Sequence, residues 1–243
     1  MTLPAQGRLA QRREELLGAL DLVRARIDRA CEQAGRDPEE VTLIAVTKFF
    51  PASDIDLLAE LGVRAIGENR DQEAAAKIPQ VGRRDDLEVH FIGQLQTNKA
   101  TSVARYADVV QSVDRPKLVR SLDHAATAHG RRLSVLVQVS LDDRRPSSPR
   151  GGAAPGDLAA LAEEVEHSDS LDLRGVMAVA PLGADPDAAF ARLQEVARGI
   201  RARHPAAHWV SAGMSADLEQ AIARGATHLR VGSAILGTRV SLR

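Results

Sequence analysis

Aromatic side chains make up only 2% of this 243-residue chain, with one tryptophan and one tyrosine, Tyr106. The 32 Lys and Arg are balanced by 33 Asp and Glu, and no long basic run is interleaved with aromatics. A surface that neutralises phosphates and stacks bases has little to be built from, so no nucleic-acid partner is expected. Cysteine is almost absent. Cys31 has no second thiol to pair with, which fits a reducing compartment, and a small residue within an N-terminal helix accounts for it. No segment approaches the roughly 20 apolar residues of a membrane span. Residues 1–20 carry Arg8, Arg12, Arg13, Glu14 and Glu15 where a signal peptide needs an apolar stretch, so we expect a cytoplasmic protein with no membrane partner. No G-x-G-x-x-G follows the first strand-like run, which weakens a dinucleotide-binding reading.

What is present is an alternation. After a helical pattern over residues 9–34, strand-like runs are read at 41–47, 63–67, 89–93, 108–113, 133–140, 173–180, 209–211 and 228–231. Helical patterns fall between them at 53–61, 70–77, 98–106, 116–128, 155–167, 187–203 and 216–224. Ser53 with Asp56 three residues on looks like a capping box opening the first of these. Eight strands alternating with helices predict an α/β chain folded as a single (β/α)8 barrel over residues 1–243, with an extra helix packed outside. An open doubly wound sheet is the alternative. The Pro-, Ser-, Gly- and Arg-rich segment 142–156 follows the fifth strand. It reads either as a cationic lid or as a solvated loop.

Lys48 closes the apolar run 41–47, which puts its amine at the mouth of a core. Desolvation there disfavours an ammonium, and a neutral amine can condense with an aldehyde. The plain alternative is a lysine that marks a strand end and reaches for water. Two turns add to the first reading. Ser211-Ala212-Gly213-Met214-Ser215 follows the seventh strand and Val231-Gly232-Ser233-Ala234-Ile235-Leu236-Gly237 the eighth. Those are the loops where barrels frequently hold phosphate, on free backbone N–H groups, with glycine allowing close approach and serine adding hydroxyl donors. Ser215 also reads as an ordinary N-cap. A phosphate opposite a buried lysine suggests one ligand bearing both an anion and an aldehyde.

Six segments then carry a resemblance. They are Ala45-Val46-Thr47-Lys48, Gly67-Glu68-Asn69 with Gln72-Glu73, and the run from His90 to Lys99 (HFIGQLQTNK). Arg174-Gly175-Val176-Met177-Ala178, the run from Ser211 to Asp217 (SAGMSAD) and Arg230-Val231-Gly232-Ser233 complete the set. In this order the chain closely resembles the pyridoxal phosphate homeostasis protein family, which is similar in fold to the barrel domain of alanine racemase but lacks that enzyme's second domain. The resemblance implies pyridoxal 5'-phosphate as the cofactor and Lys48 as its Schiff-base lysine. It puts Asn69 beside the ring, Ser211, Gly232 and Ser233 on the phosphate, and Arg230 near the pyridine nitrogen. Met214 and Ser215 would shape the phosphate end. Taken without the resemblance, Asn69 reads as a helix N-cap and Arg230 as a strand-end arginine. His90 reads as a hydrogen-bonded core histidine and Lys99 as a helix-start residue.

The chain also departs from the family pattern. Residues 144–152 hold arginines where the family often has a lysine-bearing segment, and Arg70 and Asp71 stand where an aromatic is common. Pyridoxal phosphate enzymes also need a placed base, and the one tyrosine, Tyr106, is expected at the end of the barrel opposite Lys48. The resemblance therefore favours a monomeric carrier that buffers the cofactor or delivers it to apo enzymes. A fold-type III amino-acid racemase and a cofactor-free lysine aldolase are the alternatives.

Overall fold

The computed structural model describes residues 5–142 and 151–238; the arginines at 144, 145 and 150 lie outside them. Eight parallel strands close into a barrel in chain order: β1 (Thr42–Val46), β2 (Ala65–Glu68), β3 (Glu88–Phe91), β4 (Val109–Val113), β5 (Leu133–Gln138), β6 (Leu171–Met177), β7 (Trp209–Ser211) and β8 (His228–Val231). The seam closes where Ile44 of β1 pairs with Arg230 of β8. The connecting helices are α2 (Ala52–Glu60), α3 (Asp71–Lys77), α4 (Ala100–Tyr106), α5 (Pro116–Ala128), α6 (Leu158–Glu166), α7 (Pro186–Arg203) and α8 (Leu218–Ala223), with a single turn α9 (Ser233–Leu236) after β8. This is the predicted (β/α)8 architecture, with the added helix α1 (Ala5–Ala34) outside it.

Strand register sorts the residues onto two faces. Ala45, Ile66 and Val89 are paired neighbours facing the helices, and all three belong to the large outer core. One position earlier, Ile44, Ala65 and Glu88 are paired and face the barrel axis. Inside, Val109, Leu136 and Met177 form a separate small cluster against Val179 and Trp209. The sheet breaks step between Val135 and Leu136, where β6 carries Gly175 in the left-handed half of conformational space (φ 152°). A Cβ there would lie 1.9 Å from the Trp209 carbonyl oxygen, so the bulge requires glycine.

Helix α1 buries Leu16, Leu20, Val23, Ile27 and Cys31 along one stripe. Arginines fix it to the barrel: Arg12 to Asp54 and the Leu236 carbonyl, Arg24 to the Leu61 carbonyl, Arg26 to Glu219 and the Ser215 carbonyl. The C-terminal ends of β7 and β8 are thus held from outside by the first helix. Two start signals were misread. Helix α2 begins after Pro51, with no side-chain cap, and Ser53 lies within its first turn. Helix α8 is capped at Asp217, whose carboxylate accepts from the Met214 N–H at 2.6 Å, so Ser215 is not an N-cap.

Candidate functional site

The inward series of β1 runs Ile44, Val46 and, beyond the strand end, Lys48. Lys48 is half-buried at the C-terminal mouth, where active sites of such barrels lie. β1 ends earlier than its apolar run suggested because the chain turns sharply here: Phe49 adopts a positive φ of 72°, strained for a residue with a Cβ.

A buried polar cluster behind the strand ends holds that turn. Lys77 of α3, itself 7% exposed, donates from Nζ to the carbonyls of Thr47 at 2.9 Å and Phe50 at 3.0 Å. The same ammonium lies 2.8 Å from Glu68 and 3.1 Å from Glu73. The Phe49 N–H donates to Glu73, and the Thr47 hydroxyl donates to Glu68 at 2.5 Å. Burial pushes the Glu68 carboxyl above its ordinary value, against the opposing pull of Lys77 and the Thr47 hydroxyl. One lysine thus clasps the backbone on both sides of Lys48. Sequence reasoning gave Lys77 no part in the site. The available signal was its i, i+4 spacing from Glu73 on a helix that opens beside a strand end.

Neighbouring strands bring the other expected residues to the same mouth. Val46 pairs with Gly67, which sets Asn69, just past the end of β2, beside the Lys48 turn. Asn69 is not an N-cap, since α3 is capped at Arg70; its carbonyl and side-chain oxygens sit where a Cβ on Gly93 would fall, 2.2 Å away. Across the seam, a Cβ on Gly232 would lie 3.3 Å from the Val46 Cβ, so the β8 turn rests on β1 two residues before Lys48. Gly232 caps α9, accepting at its carbonyl from the Ile235 and Leu236 N–H groups, and Ser233 is exposed. Gly213 (φ 89°) turns the β7 loop and accepts the Arg230 N–H at 2.9 Å; Met214 is exposed and Ser215 half-buried.

Arg230 is buried, and among the described residues no carboxylate is in hydrogen-bonding contact with it. It donates to the Ser211 hydroxyl at 2.5 Å and the Ala178 carbonyl at 2.8 Å. Desolvation lowers its pKa to about 10, with Asp217 pulling the other way. Ser211 is occupied within the chain itself. Its one hydroxyl proton goes to Gln111 Oε1 at 2.7 Å and its oxygen accepts from Arg230, so the side chain supports Arg230.

His90 is fully buried and hydrogen-bonded to Glu88 and Gln111, the core role read from sequence. Lys99 begins the α4 segment and pairs with Asp71 at 3.8 Å. Tyr106 ends α4, as expected, but its ring belongs to the helix-facing core outside the barrel. Its buried hydroxyl is raised above the ordinary phenol value by desolvation first, then by Asp71 and Glu68. Ala153 pairs in parallel with Val139, just past the end of β5.

The sequence profile of the alanine racemase N-terminal domain matches residues 19–240. The Mycobacterium tuberculosis (strain ATCC 25618 / H37Rv) protein named pyridoxal phosphate homeostasis protein is 43% identical over 94% of this chain and 94% of its own length. The chain belongs to the pyridoxal phosphate homeostasis protein family. The Escherichia coli K12 member bearing that name is 38% identical, covering 89% of this chain and 94% of its own. Among solved structures, PipY of Synechococcus elongatus PCC7942 with PLP bound superposes with a TM-score of 0.74 at 35% identity, over 87% of this chain and 99% of PipY. Alanine racemase from Streptomyces coelicolor A3(2) superposes at 0.70 with 19% identity, over 90% of this chain and 58% of the racemase, and so shares the barrel fold. The homeostasis-family barrel brings Lys48, just past β1, Asn69, just past β2, Arg230 of β8 and Gly232, just past β8, to one mouth, since the three strands are adjacent. Among the described residues, no helix is long and apolar enough to cross a membrane, and no cluster of His, Cys, Asp or Glu could hold a metal.

Proposed function

We propose that this protein binds pyridoxal 5'-phosphate as a Schiff base on Lys48 and holds it for exchange, buffering the cofactor or delivering it to apo enzymes. The observation that carries the reading is the clasped Lys48 turn facing Gly232 across the β1–β8 seam, with a buried arginine beneath that no carboxylate among the described residues contacts. The donor set fits such a ligand. It offers one amine for an aldehyde, small-residue turns for an anion, and in Arg230 a group that donates and cannot accept. Pyridoxal phosphate brings the aldehyde, the ring and the phosphate. The Lys77 clasp fixes the backbone that presents the Lys48 amine. Asn69 borders the ring, while Gly232, Ser233, Met214 and Ser215 line the phosphate end, with Ser211 behind Arg230. A donor at the pyridine nitrogen keeps that nitrogen unprotonated, which suits holding more than electron withdrawal.

The Tyr106 ring, packed outside the barrel, also argues against racemase chemistry, which needs a base facing the lysine across the substrate. We take the protein to work as a cytoplasmic monomer.

The test has three arms. Binding should weaken strongly for pyridoxal lacking its phosphate, because each charge-assisted hydrogen bond contributes about 1.5 to 3 kcal/mol. Loaded protein should restore activity to an apo pyridoxal phosphate enzyme faster than spontaneous release allows. Deuterium exchange at Cα of L-alanine should be negligible. Exchange above about 1 per second, the ordinary enzyme range, would replace the carrier reading with a racemase.

A further inference from the structure

The interiors of barrels of this kind are usually filled by branched apolar side chains, yet a continuous column of polar ones crosses this interior. Arg230 donates to Ser211 Oγ at 2.5 Å, and Ser211 donates to Gln111 Oε1 at 2.7 Å. The Gln111 amide nitrogen then meets His90 Nδ1 at 2.9 Å, and His90 Nε2 meets the Glu88 carboxylate at 2.7 Å. Four strands contribute: β3, β4, β7 and β8. All members are buried except Glu88, whose side chain is 41% exposed at the lower end.

The direction of every proton in the column follows from its two ends. Arginine only donates, so Ser211 accepts from it and must spend its single hydrogen on Gln111. The Gln111 carbonyl is then taken, and its NH2 donates to His90 Nδ1. That leaves Nδ1 bare and puts the imidazole proton on Nε2, where the carboxylate receives it. Reversal strands a buried group: a flipped Gln111 leaves the Ser211 hydrogen without its acceptor, and an Nδ1–H tautomer sets the bare Nε2 against the Glu88 carboxylate. A half-satisfied buried network is costly.

We propose that Glu88, His90, Gln111 and Ser211 are positioning residues. They lock His90 as the Nε2–H tautomer and, through Ser211, fix the Arg230 guanidinium in one orientation against the ends of β6 and β7. The consequence for cofactor rests on the function proposed above: the orientation of Arg230 sets the environment of the pyridine nitrogen, so the far end of the barrel tunes the bound ring without touching it.

Gln111→Met cuts the column at its middle with little change of volume. Gln111→Glu keeps an acceptor for Ser211 and requires a second proton on His90. In ligand-free protein, 15N NMR of wild type should show His90 protonated at Nε2 only, with slow rotation of the Arg230 guanidinium. Gln111→Met should free that rotation, while Gln111→Glu should keep it slow and turn His90 into the imidazolium. In protein loaded with pyridoxal phosphate, Gln111→Met should shift the visible band and weaken binding by about tenfold, the loss expected for one charge-assisted contact less well made. The borohydride-reducible link should remain, and Gln111→Glu should restore the spectrum.

An Arg230 that stays rigid in folded Gln111→Met, or a His90 protonated at Nδ1 in wild type, would overturn the proposal. So would an unchanged visible band beside a freed Arg230, which would show that its orientation does not reach the ring. Failure of wild type to bind pyridoxal phosphate would instead remove the proposed function, and the ligand-free NMR would still decide whether the column positions Arg230.

Discussion

Replacing Lys77 with methionine should damage the protein through the loop that presents Lys48. In the wild type the ammonium satisfies two backbone carbonyls and sits between the carboxylates of Glu68 and Glu73, with 8% of its side chain exposed. Methionine fills the space but removes the charge, leaving Glu68, fully buried, with the Thr47 hydroxyl as its remaining contact. Removing one partner of a buried pair costs about 3 to 5 kcal/mol. At roughly 2 to 4 °C per kcal/mol for a chain of this size, the melting temperature should fall by roughly 6 to 20 °C.

The sign of the pH dependence follows from Glu68. Its folded-state pKa already lies above the ordinary value, with burial as the leading cause, so its proton favours the folded state. Stability tied to this group is fully present below the unfolded carboxyl pKa and is lost as pH rises through the higher folded one. Without Lys77 that separation widens, and Lys77→Met should be least harmful in mild acid. Lys77→Met with Glu68→Gln should recover about half the loss or more, because the stranded charge is gone. Urea denaturation of the two variants across pH measures this, with cofactor affinity measured in parallel and expected to fall in both. A Lys77→Met protein within about 1 kcal/mol of wild type would refute the clasp. So would a double variant worse than the single.

Two further outcomes test the barrel itself. Gly175→Ala places a Cβ 1.9 Å from the Trp209 carbonyl oxygen at a φ of 152°, so it should cost about 3 kcal/mol or more and weaken β6–β7 pairing in hydrogen exchange; near-wild-type stability would contradict the bulge. His228 is held neutral, its pKa lowered from 6.5 to about 3 by burial first and His90 next. The unfolded chain binds that proton more readily, so stability is lost as pH falls from about 6.5 toward 3, amounting to about 2 kcal/mol at pH 5. His228→Gln should flatten the pH 5 to pH 7 difference by that amount in denaturant titrations, and an unchanged difference would place the acid sensitivity elsewhere.

The barrel was legible because its strands are short apolar runs at regular intervals between amphipathic helices, a pattern set by local composition. Trp209–Ser211 and His228–Val231 were read to the residue. The sixth strand was placed late, at Leu173 where β6 begins at Leu171, because the Gly175 bulge interrupts its alternation. The lone turn Ser233–Leu236 is too short to show a helical period. Lys48 stood out as a charge ending a buried strand, and the loops after β7 and β8 as glycine and serine turns. The roles of Lys77 and Ser211 were not legible, because each depends on partners far away in sequence. Lys77 reaches the Thr47 carbonyl 30 residues back, and Ser211 reaches Gln111 at a separation of 100. Tyr106 was placed correctly along the chain, but only packing shows its ring outside the barrel.

We infer that Lys48 is the covalent anchor of the cofactor. That assignment is tested most directly by reducing loaded protein with borohydride and mapping the modified lysine by peptide mass spectrometry, beside Lys48→Ala treated identically. A pyridoxyl group should appear on the peptide containing Lys48 and none on Lys77 or Lys99, with the visible absorbance of the loaded protein lost in Lys48→Ala. A stoichiometric adduct on another lysine, or one of undiminished strength in Lys48→Ala, would contradict it.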